Sequence, residues 1–243
     1  MSGHSKWSTI KRKKEKTDSQ RAKIFTKMGR EIMTAVRESG ADPSSNSKLA
    51  AIIAKAKANN VPNENIERVI KKVAGETGGA VFEELVYEGY GPSGVAVIVE
   101  TLTDNRNRTA ADLRHFFDKN GGNLGQNGCV AFLFSRQGQL IVERDNLAEN
   151  AVMEEALEAG AADFITDDEV FDIRTEPADF LSVQQVLSEK GYSFLSAQVA
   201  YIPSTQIALT DEGDIKKMER LLDMLEDNDD VQEVYHNWSG ADA

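Results

Sequence analysis

The residues of this chain best suited to chemistry are cations near its start. Ten basic residues fall within the first thirty positions: Lys6, Lys11, Arg12, Lys13, Lys14, Lys16, Arg21, Lys23, Lys27 and Arg30, against only Glu15 and Asp18. Lys and Arg neutralise phosphates and release their counterions. Trp7, set among them, can stack on an exposed base. A solvated tail with Trp7 packed on a neighbouring helix is the plainer alternative. The rest of the chain weighs on the choice. Residues 1–75 hold 17 basic and 7 acidic residues, a net of +10, whereas residues 76–243 hold 11 and 33, a net of −22. A basic module on an acidic body suits a polyanion partner, because the body repels the same polyanion and limits nonspecific adhesion.

A second candidate contact is Thr103-Asp104-Asn105-Arg106-Asn107-Arg108-Thr109. A helix N-terminus flanked by arginines can hold a phosphate, and Arg106, Arg108 and Arg114 put positive charge on the acidic body. Asn105, Asn107 or Asp104 can equally cap the helix, with the arginines paired to nearby acids. Both roles fit.

Catalytic constellations are missing. His4, His115 and His236 lie in separate segments, and Cys129 has no CxxC partner, so metal-ligand spacing does not arise. There is no G-x-S-x-G elbow. The Gly-rich stretch 121–129 lacks the Lys-Ser/Thr of a phosphate-binding loop. Asp167-Asp168-Glu169 reads as an acidic turn. The expectation is a non-enzyme with no cofactor, no metal and no small-molecule substrate. No apolar run approaches the roughly 20 residues that span a bilayer, so no membrane partner is expected. A single cysteine and a basic start without an apolar h-region point to a reducing cytoplasm.

The elements that position these groups follow from periodicity. Ile24, Met28, Ile32, Ala35 and Val36 share one face of a helix ending near Gly40. Two more amphipathic helices follow, one carrying Leu49, Ile52, Ile53 and Ala56, the next starting at Asn63 after Pro62. Together they make a small bundle behind an arm of about twenty residues. From Glu84 the period becomes two. Strands are expected at 84–90 and 95–102 and a helix at 106–120, broken by Gly121-Gly122-Asn123-Leu124-Gly125. The three glycines there suit turns of positive φ. Residues 131–202 read β-α-β-β-α-β, the order of a ferredoxin-like unit. A strand at 206–209, a helix at 212–227 and a strand at 231–236 would complete a second such domain around the insertion. The fold class is therefore α+β. The expected domains are 1–76, basic and helical; 77–130 with 205–243, discontinuous; and 131–204, inserted.

Several segments together resemble the YebC family. They are Gly3-His4-Ser5-Lys6-Trp7, Ile10-Lys11, Lys23-Ile24-Phe25-Thr26-Lys27, Arg30-Glu31-Ile32, Asn59-Asn60-Val61-Pro62 and Asn65-Ile66-Glu67-Arg68-Val69-Ile70. Further along come Tyr87-Glu88-Gly89-Tyr90-Gly91-Pro92, the 103–109 motif and Gly121-Gly122-Asn123-Leu124-Gly125. The resemblance implies a helical bundle and two α/β domains, the third inserted in the second. It also implies a cytoplasmic regulator commonly described as a DNA-binding transcriptional regulator. Mitochondrial members resemble translational activators of cytochrome c oxidase, and bacterial members have been linked to stalled ribosomes. Two partners follow. One is ribosomal or transfer RNA, with the chain acting as a ribosome-associated translation factor. The other is duplex DNA. Shape-and-charge recognition of RNA is favoured, because no recognition helix with base-reading amides is evident.

Overall fold

A computed structural model describes residues 18–75 and 78–240. The bundle consists of α1 (Asp18–Ser39), α2 (Ser47–Ala58) and α3 (Asn63–Gly75). Its core is the apolar stripe read from the sequence: Met28, Ile32, Ala35 and Val36 pack on Leu49, Ile52, Ala56, Ile66 and Val73. Ile32 and Leu49 are essentially sealed from solvent, each stabilising the bundle by about 1.5–3 kcal/mol. Gly40 ends α1 in the left-handed region at φ 89°. Buried Asn46 fixes the next turn. Its Oδ1 accepts from the Leu49 N–H at 3.0 Å, while its Nδ2 donates to the Ala35 and Gly40 carbonyls, both at 2.8 Å. One side chain thus caps α2 and closes the tail of α1.

The chain continues through β1 (Glu83–Tyr90), β2 (Ala96–Thr103), α4 (Arg106–Lys119) and β3 (Asn123–Leu124). Next come β4 (Phe134–Glu143), α5 (Glu149–Glu158), β5 (Asp163–Thr166), β6 (Val170–Thr175), α6 (Phe180–Glu189) and β7 (Phe194–Pro203). The last elements are α7 (Glu212–Asp227) and β8 (Val231–His236). Two four-stranded antiparallel sheets result, ordered β3-β1-β2-β8 and β5-β6-β4-β7. The second is built wholly from residues between β3 and α7, with the ferredoxin-like strand order. The first has the same two layers, but its central pair is the β1–β2 hairpin.

Alternation places Val97 and Val99 on the face of the first sheet that meets Leu113 and Phe117 of α4 and Met218, Leu221, Leu222 and Leu225 of α7. The opposite face sends Ala96, Ile98 and Tyr235 against Phe134, Ala200 and Ile202. Both faces of β2 are therefore buried, and the second contact joins the two sheets.

Two expectations need correction. The strand at 206–209 reduces to one parallel bridge, Ile207 to Trp238. β8 already occupies that edge of β2, and residue 207 pairs only with the chain beyond β8, through Ile207 N–H to Asn237 O at 2.7 Å and Ser239 N–H to Ile207 O at 3.0 Å. The segment 121–125 is more than a breaker, since it contains β3. Gly121 does have positive φ, but Gly122 is required for a different reason: a Cβ there would collide with the Tyr90 carbonyl. Close backbone approach, not turn geometry, selects that glycine.

Candidate nucleic-acid interface

Of the candidate residues, Lys6, Trp7, Lys11, Arg12, Lys13 and Lys14 lie outside the described residues. Arg21 lies in α1, and its side chain is also outside them. The remaining three candidates, all in α1, are engaged inside the molecule. Lys23 pairs with Asp227 at 2.9 Å. Lys27 Nζ donates to the Glu226 carbonyl at 2.7 Å. Arg30 Nη1 donates to the Asp229 carbonyl at 2.7 Å and to Asp230 Oδ1 at 2.6 Å. Residues 23, 27 and 30 recur at nearly helical spacing, so one stripe of α1 lies along the end of α7 and the turn into β8. That turn ends a helix whose unpaired carbonyls carry partial negative charge. Part of the acidic body is therefore the receptor of the basic helix.

Asp230 is the node of this contact. Its carboxylate is only 5% exposed. Oδ2 accepts from Arg108 Nη2 at 2.9 Å and from the Thr109 hydroxyl at 2.8 Å. Burial alone would raise its pKa, but the bonds from Arg108, Thr109 and Arg30 outweigh that and hold it below the ordinary carboxylate value. Sequence reading missed Asp230, which sits in the acidic run Asp227-Asn228-Asp229-Asp230. The signal that could have found it was the complementarity of the two halves' charges.

The 103–109 motif is thereby divided. Asn105 caps α4, its Oδ1 accepting from the Arg108 N–H at 3.0 Å. Arg108 bridges Asp104 and Asp230, both at 2.9 Å. Thr103 supports the loop by accepting from the Asn105 N–H at 2.9 Å. Arg106, Asn107 and Arg114 are exposed, and neither Arg106 nor Arg114 has an ion pair among the described residues. The structure brings Asn105 and Arg108 into an intramolecular lock and leaves the other three facing outward.

Glu88, within one of the matching segments, has a related supporting task. Nearly buried, it accepts the N–H groups of Gly128, Val130 and Ala131 at 2.7–2.8 Å. Desolvation raises its pKa, and the three backbone donors more than reverse that. The loop so held leads into β4 and sets where the inserted sheet joins the first.

No group of three His, Cys, Asp or Glu residues suited to a metal occurs among the described residues. None of their helices is long and apolar enough to cross a membrane.

Comparison with known proteins places this architecture. Residues 5–76 match the family described as TACO1/YebC protein N-terminal domain, and residues 82–238 match the TACO1/YebC second and third domain. The chain belongs to the TACO1/YebC family. A relative from Ruminiclostridium cellulolyticum, named a probable transcriptional regulatory protein, is 59% identical over 239 residues, covering 98% of this chain and 96% of its own. One of the same name from Finegoldia magna is 57% identical, covering 98% and 99%. The crystal structure of a conserved hypothetical protein from Aquifex aeolicus superposes with a TM-score of 0.82 at 45% identity, covering 92% of each chain. The TACO1/YebC architecture is thus shared by a solved relative, and its curated members carry regulatory names.

Proposed function

We propose that this TACO1/YebC protein is a non-enzymatic, cytoplasmic, nucleic-acid-binding regulator of gene expression that acts on the RNA of the ribosome as a translation factor. The observation that carries the reading is the concentration of cations at the start of the chain. Six of the first seventeen residues are basic and one is acidic, while Lys23, Lys27 and Arg30 of α1 are held by the body. The segment before α1 is the densest run of cations in the sequence, of the composition that meets a polyanion, and its Trp7 is of the type that stacks on a base. Arg106, Asn107 and Arg114 offer a second contact on the exposed side of α4.

The names of the relatives support regulation through transcription, and duplex DNA is the alternative partner. Against it, the exposed residues of α3 include Glu64 and Glu67 beside Arg68 and Lys71. Glu67 lies 3.6 Å from Lys71. Carboxylates interleaved with cations oppose insertion of that helix between phosphate ridges. A structured RNA surface read by shape and charge does not require such insertion.

Salt titration of RNA binding tests the assignment. Replacing Lys11, Arg12, Lys13 and Lys14 by Ala should weaken binding and reduce the slope of log K against log salt by about 3–4, close to one per lost phosphate contact. Arg106→Ala with Arg114→Ala should reduce it further while leaving the thermal midpoint unchanged. An unaltered slope in the fourfold variant would remove the arm from the interface.

A further inference from the structure

The bundle and the body meet without a shared core. Among the described residues, the apolar cluster of the bundle contains only bundle residues, and neither cluster that includes the first sheet contains one of them. What crosses the seam is polar, and it runs one way: the cations belong to the bundle and the acceptors to the body. Beyond the contacts of Lys23, Lys27 and Arg30, Lys48 Nζ lies 2.8 Å from Glu84 Oε1 and Lys55 Nζ 3.8 Å from Glu233 Oε1. Arg37 donates to the Gly78 and Ala80 carbonyls. The Arg30 guanidinium also lies 5.4 Å from the centre of the Phe82 ring. Acids of the bundle pair within it instead, Glu31 with Lys55 and Glu38 with Lys48.

A seam held by charge can be opened by charge. Lys23 and Asp227 are 37% and 55% exposed, and Lys48 and Glu84 43% and 65%. Ion pairs this wet contribute little and are screened by salt. The buried member of the seam, Asp230, keeps Arg108 and Thr109 as donors when Arg30 leaves, so separation strands no bare carboxylate. On the other side, separation uncovers Lys23, Lys27 and Arg30, a row about 10 Å long on one stripe of α1. The body faces that row with carboxylates and with the carbonyls that end α7, oxygens carrying negative charge. A phosphate backbone offers lysine and arginine the same chemistry.

We propose that this stripe of α1 is a second RNA-binding surface, kept covered by the acidic end of α7 and the turn into β8, and that RNA phosphates displace the bundle from the body to reach it. The body is then a built-in competitor for the RNA. Because the two are parts of one chain, the covered state is filled when no RNA is present. A ligand must replace several of these contacts together, which a run of phosphates does and an isolated anion does not. Displacement by RNA rests on the proposed function; the one-way seam does not.

The test uses the full chain with Cys129→Ser and nitroxides at Glu64→Cys of α3 and Glu219→Cys of α7, both exposed positions. Dipolar electron resonance reads the distance between the labels. One narrow distribution is expected for the free protein, and a longer, broader one as purified ribosomal RNA saturates it. Salt titration of RNA binding is the second readout. Lys23→Ala with Lys27→Ala should lower the slope of log K against log salt by about 1–2. Asp227→Asn with Glu84→Gln should tighten RNA binding severalfold more than Asp145→Asn with Glu154→Gln, the same charge change on exposed acids of the inserted unit. RNA bound at an unchanged label distance, or a slope untouched by the lysine variant, would overturn the covered surface and leave the proposed function standing. Equal gains from the two acid pairs would overturn the body's part as competitor. A wild type that binds no RNA would overturn the proposed function and the displacement together.

Discussion

Asp230 gathers two arginines from distant parts of the chain, Arg30 of α1 and Arg108 of α4, on a carboxylate that is almost wholly buried. Removing one partner of such a set leaves the others desolvated and poorly paired, which costs more than the pair's net worth. Asp230→Asn should therefore lower unfolding stability by about 2–3 kcal/mol, read as a reduced urea midpoint. The sign of the pH effect follows from its lowered pKa. The stabilisation is fully present above the ordinary value of 3.8 and is lost as pH falls through the lower folded value. The wild type should lose this increment on acidification below 3.8, and the Asn variant should lack that step. The arginines of the 103–109 motif were legible in the sequence, with both their roles. The acceptor of Arg108, more than 120 residues onward, was not, because nothing local connects it to Asp230.

Elements were legible where one periodicity ruled a whole segment. The stripe Ile24–Val36 became the buried face of α1, and the expected strand at 231–236 is β8 itself. Legibility failed where pairing depends on a distant edge. Residues 206–209 carry strand-like alternation, but β8 fills the place beside β2. β3 is only two residues long and owes its existence to Gly122 passing close under Tyr90. Gly122→Ala should displace β3 from β1 and cost about 1–3 kcal/mol through overpacking. Faster hydrogen exchange at Asn123 and Leu124 would report it, whereas unchanged exchange would show that the backbone can yield. The same glycine cluster had suggested turns of positive φ. Only Gly121, of the three, has one.

At the scale of the molecule, the charge asymmetry has two parts with different tasks. Lys23, Lys27 and Arg30 of α1 dock the bundle on the acidic end of α7 and the turn into β8, and they are consumed within the fold. Cations before α1 have the net charge and the aromatic residue to meet a polyanion. A single count over residues 1–75 could not divide them, because pairing across the domains is a tertiary property. Family membership places the chain among proteins with regulatory names, and the proposed function takes RNA rather than duplex DNA as the partner. The most direct measurement is retention on ribosomes and on duplex DNA at matched, rising salt. The account predicts that the protein cosediments with ribosomes at salt concentrations that have already stripped it from DNA. Loss from ribosomes at salt where DNA binding persists would contradict it.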